Sequence, residues 1–540
     1  MNTQGDNVFR SWKAIANYFG KSERTVRRWE SQEGLPVHRH QHQSAARIFA
    51  YQKELDTWFG SRSDSESNKP SEPVPSLCLA LLPFEKLIDE PSRAFVADAL
   101  CEDIVADLSY LPAVTMISYA SSRRLVNSTE DLAAQLSSLN VHFYVEGSIR
   151  LAGETCRAHV RLIELTSQRV VWSARYNDTP PDWQRLGQMI VSELITSLPL
   201  SHTSVALAHS EHQRIHSQAA WEYLHKARAA SLQWQPDAIT RAIALLHAAD
   251  TLVGGSALIQ ACLGRVYLQL RESGIDCSDA PVEKVSRILQ ALRKTHPKGF
   301  FTLSLQAWFD YINGKLSRAV RALTQALQAN PNDPDALILI ANCYLLAGQP
   351  ELAKPYIRAL QIVDPLTPLS RCMPGYYRLM TGDYRAAVAP YEEMLALDPS
   401  NDMARLFLVW VLAINGETTR VGDVCTGFQA QQKDTLITKL AFAFYAGLQG
   451  GSVDLVLLPQ EKSSARVNGM LARFTAFAYA ATGNSEEAVA WLAIAIDLGY
   501  FPYPYMAEHD TYFRPWHNES SVKKLLEKMK TKWRGFLDEI

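Results

Sequence analysis

The chain has 540 residues, 47% of them hydrophobic and 10% aromatic, and its 54 Lys+Arg against 56 Asp+Glu leave a net charge of −2. That length allows several domains, and that composition excludes a largely disordered chain. Near neutrality excludes a globally basic nucleic-acid coat, so any contact with nucleic acid has to be local. The eight cysteines have no CxxC pair and no zinc-like spacing, which reads as core thiols of a reducing cytoplasm. The opening MNTQGDNVFR has no apolar leader region, and no apolar run, the brief 77–82 included, approaches the length a bilayer requires; the expectation is a cytoplasmic protein with no membrane partner.

Residues 11–59 carry the densest local signal. Trp12, Ile15, Ala16 and Phe19 recur at helical spacing, and Gly20 then supplies a turn. Ser22 is placed as the N-cap of a second short helix, with Val26 and Trp29 inward and Arg24, Arg27 and Arg28 outward. Two short helices joined by a tight turn, the second basic outside, predict a helix-turn-helix able to enter a major groove. Gly34-Leu35-Pro36 ends the pair, 37–42 and 45–51 read as a two-stranded ribbon, and an apolar helix with Leu55, Trp58 and Phe59 closes the segment. Between Arg10 and Arg47 eight cations face three acids, the local excess expected of a module that contacts duplex DNA. Arg24, Arg27 and Arg28 are the candidates for base edges, because an Arg fork matches guanine O6 and N7. Lys21, Arg39, His40 and Arg47 are the candidates for phosphate clamps. His38, His40 and His42 alternate as metal ligands can, but no nearby Cys or acid is expected to complete a coordination sphere, so an exposed wing without metal is expected.

The ordered set Ile15-Ala16, Gly20, Thr25-Val26-Arg27, Gly34-Leu35-Pro36 and Leu55-Asp56-Thr57-Trp58 resembles the winged helix-turn-helix of the excisionase and MerR-type families. The resemblance spans about fifty residues and implies a double-stranded DNA partner. Heads of this size usually bind paired half-sites as dimers, which leaves room for a homodimer.

The stretch 61–75, SRSDSESNKPSEPVP, is Ser, Pro and charge, and reads as a linker that cannot offset its ordering entropy. A weaker break lies at 201–212. Between them, 77–83 suits a buried strand, 92–110 carries a helical stripe, 114–118 reads as a strand and 129–139 as a helix. Then 141–151 and 156–165 alternate around a Gly153-Glu154 turn, 170–176 is a last strand and 183–198 a last helix, which predicts a mixed α/β domain. Leu82-Pro83-Phe84, Ala97-Asp98-Ala99-Leu100 and Glu146-Gly147-Ser148-Ile149-Arg150 resemble the TolB-like N-terminal domain of bacterial signalling proteins. Asp98, Glu102, Asp103 and Asp107 share one helix and could hold metal or move protons. Without a Gly-rich phosphate loop or nucleophile motif, they read as solvated surface acids and the domain as non-catalytic.

The C-terminal region has a period. Gly314, Gly348, Gly382, Gly416 and Gly450 stand thirty-four residues apart, and Pro331, Pro365 and Pro399 keep the same interval. Ala307, Ala341 and Gly375 recur where two helices must approach closely, Ala319, Ala353 and Ala387 follow, and Asn330-Pro331, Asp364-Pro365 and Asp398-Pro399 stop successive helices. These features resemble tetratricopeptide repeats, and imply a solenoid of seven to nine helix pairs with a concave face. One column along that face, Trp308, Asn342, Tyr376, Trp410 and Phe444, has two readings: an aromatic-rich groove for a protein or peptide partner, or inter-repeat packing.

The expected architecture is therefore multidomain: a small winged helix-turn-helix at 1–60, a linker at 61–75, a mixed α/β TolB-like domain at 76–199, an all-α tetratricopeptide solenoid at 213–499 and a capping segment at 500–540. The expected function is a bacterial sequence-specific transcriptional regulator, not an enzyme and without a cofactor, whose later domains bind a protein, peptide or small-molecule signal. The alternative is a repeat scaffold or adaptor, its head used for protein contact or loose DNA attachment. An enzyme of cyclic-nucleotide signalling would need a cyclase module that these motifs do not supply.

Overall fold

The apolar stripe and inward tryptophan of the first segment find each other. In the computed structural model Ile15, Ala16, Val26, Trp29, Leu35, Ala50 and Leu55 bury together as one small core. The structure describes residues 8–9, 11–18, 26–27, 29–30, 35–40, 47–55, 77–127, 131–179, 182–200, 215, 217–429, 434–451 and 455–540. It divides into two units, Met1–Val74 and Pro75–Ile540.

In the first unit, β1 (Val8–Phe9), α1 (Trp12–Tyr18), β2 (His38–His40) and β3 (Arg47–Tyr51) follow in order. β2 pairs antiparallel with β3, His38 opposite Phe49, which is the expected ribbon. β1 adds a third strand on the other edge of β3, which the sequence reading did not anticipate. Gly20, Ser22, Gly34, Trp58, Phe59, the linker 61–75 and the break 201–212 lie outside the described residues.

The second unit opens with β4 (Leu77–Leu81), β5 (Glu85–Ile88) and the helix α2 (Phe95–Ser109), followed by β6 (Val114–Met116), α3 (Tyr119–Val126) and α4 (Leu132–Ser138). Three long strands, β7 (Phe143–Ala152), β8 (Thr155–Glu164) and β9 (Arg169–Asp178), lead into α5 (Trp183–Ser197). The sheet runs β6-β4-β7-β8-β9, parallel in its first half and antiparallel in its second. β4 and β5 lie end to end along β7. The quoted motifs meet at that break: the Phe84 ring crosses β7 at Gly147, where an added Cβ would stand 3.0 Å from the ring and 2.6 Å from the His159 carbonyl oxygen. Lys86 and the Tyr119 hydroxyl donate to Asp98 at 2.6 and 2.7 Å, tying β5, α2 and α3. Neither β5 nor α3 was expected.

Eight successive helix pairs follow among the described residues, from Gln218–Ser231 to Ser485–Asp497. The periodic glycines earn their place by conformation: Gly314, Gly348, Gly382, Gly416 and Gly450 have φ of 69, 68, 78, 73 and 70°. That left-handed backbone closes the first helix of each pair and costs a residue with a Cβ about 1–2 kcal/mol. In the next repeat Gly483 takes that conformation and Asn484 caps the following helix. Ala307, Ala341, Ala319, Ala353 and Ala387 are all fully buried between helices.

The array turns back on itself. Ala257–Glu272 touches Pro459–Val467, and the Asn468 amide donates to the Glu272 carbonyl at 3.0 Å. Residues 497–509 run along the repeat turns, Asp497, Pro502 and His509 facing Gly314, Gly348 and Gly382. The C-terminal segment is therefore packed against early repeats as well as late ones, with the helix Ser520–Glu539 on top of it.

Candidate binding site at the junction of the sheet and the repeats

Pro75–Ile540 forms one compact unit that includes both the α/β region and the array. One hydrophobic core runs from Leu79 and Val145 in the sheet through Trp183 and Trp221 to Leu305 in the repeats. The contacts across the junction fall on the positions that stop successive second helices. Asn332 donates to the Ser109 and Val114 carbonyls at 3.0 and 2.8 Å, and Asn330 to the Ser109 hydroxyl at 3.1 Å. One repeat on, Asp364 accepts from Ser118 and from Ser121, the latter at 2.8 Å. One further repeat on, Arg124 donates to the Leu397 carbonyl at 2.6 Å. The thirty-four-residue spacing that ends the helices thus also spaces the seats for the α/β region.

Nearer the start of the array, the helix α6 (Gln218–Ser231) lies on α2. Here the acids of α2 are not a solvated row, as the sequence predicted. Asp103 accepts from the Trp221 indole at 2.6 Å and faces the His225 ring at 3.2 Å, with Glu102 3.7 Å from the other ring nitrogen. Burial alone would lower the His225 pKa, but the Asp103 and Glu102 carboxylates together outweigh it and the net shift is upward. Burial works against the charge on Asp103 too, and His225, chief among its neighbours, holds its pKa below the usual range. This is a charged pair at a covered interface, where opposite charge beats desolvation.

Beside this pair lies a cavity of about 280 Å³, walled by α2, α5, α6 and the starts of the helices Phe300–Ile312 and Pro334–Leu346. Tyr110, Trp183, Phe300 and Phe301 give it aromatic walls, and Arg228, Asp107 and Asp333 give it charge. Burial, and then the Asp335 carboxylate, push the Asp333 carboxyl upward. Among the described residues no group of three or more His, Cys, Asp or Glu could hold a metal ion.

The expected partner groove has a different fate. Tyr376, Trp410 and Phe444 are 3, 0 and 1% exposed, so they lie inside the array and line no open face. The reason is the turning back: Arg473, from the first helix of the eighth pair, sits among the rings of Tyr376, Trp410, Phe474 and Tyr500 at 5.0, 5.8, 5.1 and 5.2 Å. It also donates to the Tyr376 hydroxyl. Trp308 and Asn342 are half-buried, the first under the Arg265 guanidinium at 3.7 Å and the second bonded to the Tyr311 hydroxyl at 3.1 Å. Packing, the second of the two sequence readings, accounts for the column.

Of the residues expected to meet DNA, Arg27 is exposed, its guanidinium 5.0 Å from the Trp12 ring centroid, while Val26 and Trp29 beside it are buried. Lys21, Arg24 and Arg28 lie outside the described residues, as do the side chains of Arg39, His40 and Arg47, whose backbones form β2 and β3. His38 does meet an acid, contrary to expectation: Glu54 is 2.6 Å away.

The class these features define is a helical tetratricopeptide solenoid fused to an N-terminal mixed α/β region. A tetratricopeptide repeat family model matches residues 311–369, and a model of the HilA/YgeH-like transcriptional regulator second domain matches 76–193. The chain is 25% identical over 224 residues to "Putative adenylate cyclase 3" of Rhizobium meliloti (strain 1021), covering 40% of this chain and 38% of that protein. It is 26% identical over 226 residues to "Cellulose synthase operon protein C" of Pseudomonas fluorescens (strain SBW25), covering 38% and 17%. The chain thus spans well under two thirds of either relative. Similar solved structures include the APC/C Cut9–Hcn1 hetero-tetramer, at 13% identity, 81% of this chain, 71% of that one and a TM-score of 0.38. A tetratricopeptide repeat protein of Parabacteroides merdae ATCC 43184 matches at 14%, 58%, 100% and 0.31, and TolB of Acinetobacter baumannii at 17%, 24%, 29% and 0.18. Among the described residues no helix is long and apolar enough to cross a membrane.

Proposed function

We propose that the chain is a non-catalytic regulatory scaffold, in which the repeat array holds a protein partner and its junction with the α/β region receives a signal. The observation that carries this reading is the repeat array itself, of which residues 311–369 match a tetratricopeptide repeat family model, and which is built as one unit with the sheet. Since the inner column is packed, the partner surface is on the outside. Leu352, Ile362 and Leu369 are 41, 53 and 58% exposed within the matched repeats and form the candidate patch. The test is cross-linking of the full chain in cells with mass-spectrometric identification, beside the double variant Ile362→Asp/Leu369→Asp. A stoichiometric partner recovered by the wild type and lost by the variant is expected. Equal recovery by both would remove the patch, and recovery of no partner the scaffold.

A second reading, a transcriptional regulator, is favoured by the match of 76–193 to a regulator's second domain. On it the first unit is a winged helix-turn-helix, Arg24, Arg27 and Arg28 read bases, and Lys21, Arg39, His40 and Arg47 hold phosphates. The exposed Arg27 beside the buried Val26 and Trp29, and the β2–β3 ribbon as wing, support it. The middle region is then TolB-like, and a homodimer would meet paired half-sites. Selection of duplexes from a random pool should enrich one motif, with affinity falling steeply with salt, and Arg27→Ala/Arg28→Ala should abolish the enrichment. A pool that stays random would leave the scaffold without a DNA address.

A further inference from the structure

Alternation along β7, β8 and β9 sends Ile149, Leu151, Ala158, Val160 and Tyr176 into the core on the side of α2 and α5. The residues between them face the other side, which α3 and α4 cover, among the described residues, at the Tyr144 and Ile163 end. Beyond that end Arg150, Arg157, Arg161 and Arg175 are exposed. The register sets Arg150 directly opposite Arg157, and His159 directly opposite Arg175. Cations placed so repel one another, and the free protein bears that cost. Of the acids on this side, Glu146 is paired with Arg161, and Glu85 stands on β5 beside Ser148. Arg150, Arg157 and Arg175 have no ion pair or hydrogen bond among the described residues. A sheet face built only for water mixes both signs of charge, whereas arginine dominates this one.

We propose that this open face of β7, β8 and β9 holds the phosphate backbone of duplex DNA, with Arg150, Arg157 and Arg175 as its contacts. An Arg fork matches the oxygens of a phosphate, and bound phosphates relieve the repulsion between the facing cations. From Arg157 to Arg161 the strand runs about 14 Å, and β7 to β9 spans about 10 Å. Over about 14 Å a B-form duplex carries about eight charges, enough for each arginine to meet a phosphate. A protein partner would be anchored instead by aromatic or aliphatic side chains at the centre of the contact. The exposed apolar residues here, Leu87 and Val171, lie at the margins and form no such centre. Among the described residues no Phe, Tyr or Trp is exposed on this face, so it offers no platform for the unstacked bases of a single strand. The contact is with backbone alone and carries no sequence information.

The inference rests on the regulator reading and adds to it a contact on Pro75–Ile540, outside the first unit. The purified full chain is titrated with a labelled duplex of random sequence by fluorescence anisotropy, over a series of salt concentrations. Arg150→Gln/Arg157→Gln/Arg175→Gln should weaken binding at least about tenfold and flatten the logarithmic salt slope by about 3. The same loss should appear when the three changes are added to Arg27→Ala/Arg28→Ala. Equal affinity and slope in wild type and triple variant would overturn the proposal, as would a duplex left unbound at the lowest salt. Polyglutamate displacing the duplex at equal charge would reassign the face to an acidic protein and overturn it too. The triple variant loses only exposed, like-charged neighbours and should melt no lower than wild type. If it melts lower, Arg175→Gln alone, on the terminal strand of the sheet, decides by a slope change of about 1. A motif enriched from the random pool, with the triple variant binding as wild type does, would sink the face and leave the regulator standing. A pool that stays random, with duplex binding still lost in the triple variant, would do the reverse.

Discussion

Two interiors of the same unit hold an arginine among aromatic rings, and they have opposite endings. In the array, Arg473 is packed against four rings and bonded to Tyr376, and the space is full. At the junction, Arg228, Trp183 and Phe300 border a cavity of about 280 Å³. The first interior is made by one array closing on itself, where both surfaces repeat with the same period and can interdigitate. The second is made by two unlike surfaces, a sheet layer and a row of helix ends, which meet at three hydrogen-bonded seats and leave a gap between them. Binding sites commonly occur where dissimilar elements meet, because close packing there is hardest to achieve.

The largest expected effect would break the first half of that comparison. Arg473→Ala leaves four rings around a void and should cost about 3–5 kcal/mol, read as a lower urea midpoint. A loss under about 1 kcal/mol would mean the inner column is loosely packed after all. Asp364→Ala strips the acceptor from Ser118 and Ser121, both buried, and should cost about 2–3 kcal/mol while raising hydrogen exchange in β6 and α3. Exchange unchanged in those elements would mean the seat carries no load. The glycine period separates two causes. Gly416→Ala meets open space and should cost about 1–2 kcal/mol for left-handed backbone alone. Gly314→Ala puts a Cβ 2.6 Å from the Asp497 carbonyl oxygen and should cost clearly more; equal losses would argue against the C-terminal segment lying there.

The smallest effect is in pH. His225 has a raised pKa in the folded state, so its stabilisation is complete below the unfolded value of about 6.5 and is lost as pH rises through the folded one. Asp103, with a lowered pKa, contributes above its unfolded value of about 3.9 and loses that as pH falls through its folded value. The partners facing this pair are Glu102, Trp221 and Arg228. Melting temperature should therefore fall from pH 6 to pH 8, and His225→Gln should flatten that slope. A wild-type profile already flat over this range would contradict the pairing.

Much of the fold was legible because it is locally determined. Each repeat turn needs a left-handed residue, so glycine marks the phase, and the alternation of 141–151 and 156–165 fixes a hairpin around Gly153. β5 was missed because its four residues are mostly exposed and show no alternation, and α3 because Tyr-Ala-Ser-Ser-Arg-Arg is polar and Ser-rich. The filled column was one of two open readings, and only pairs such as Gly274 with Ser464 and Gly314 with Asp497 decide between them. Such contacts leave no periodic trace. The junction was invisible for a similar reason: Asn332 and Asp364 look like ordinary helix stops, and nothing local says what sits on them.

The claim that sheet and array form one body is tested most directly by hydrogen exchange of the intact chain at rising urea. Peptides covering β4–β7 and peptides covering the helices Pro334–Leu346 and Pro350–Val363 should lose protection at one shared midpoint. In Asp364→Ala the sheet should open first. Two separate midpoints in the wild type, with the sheet opening while the repeats stay closed, would contradict the account.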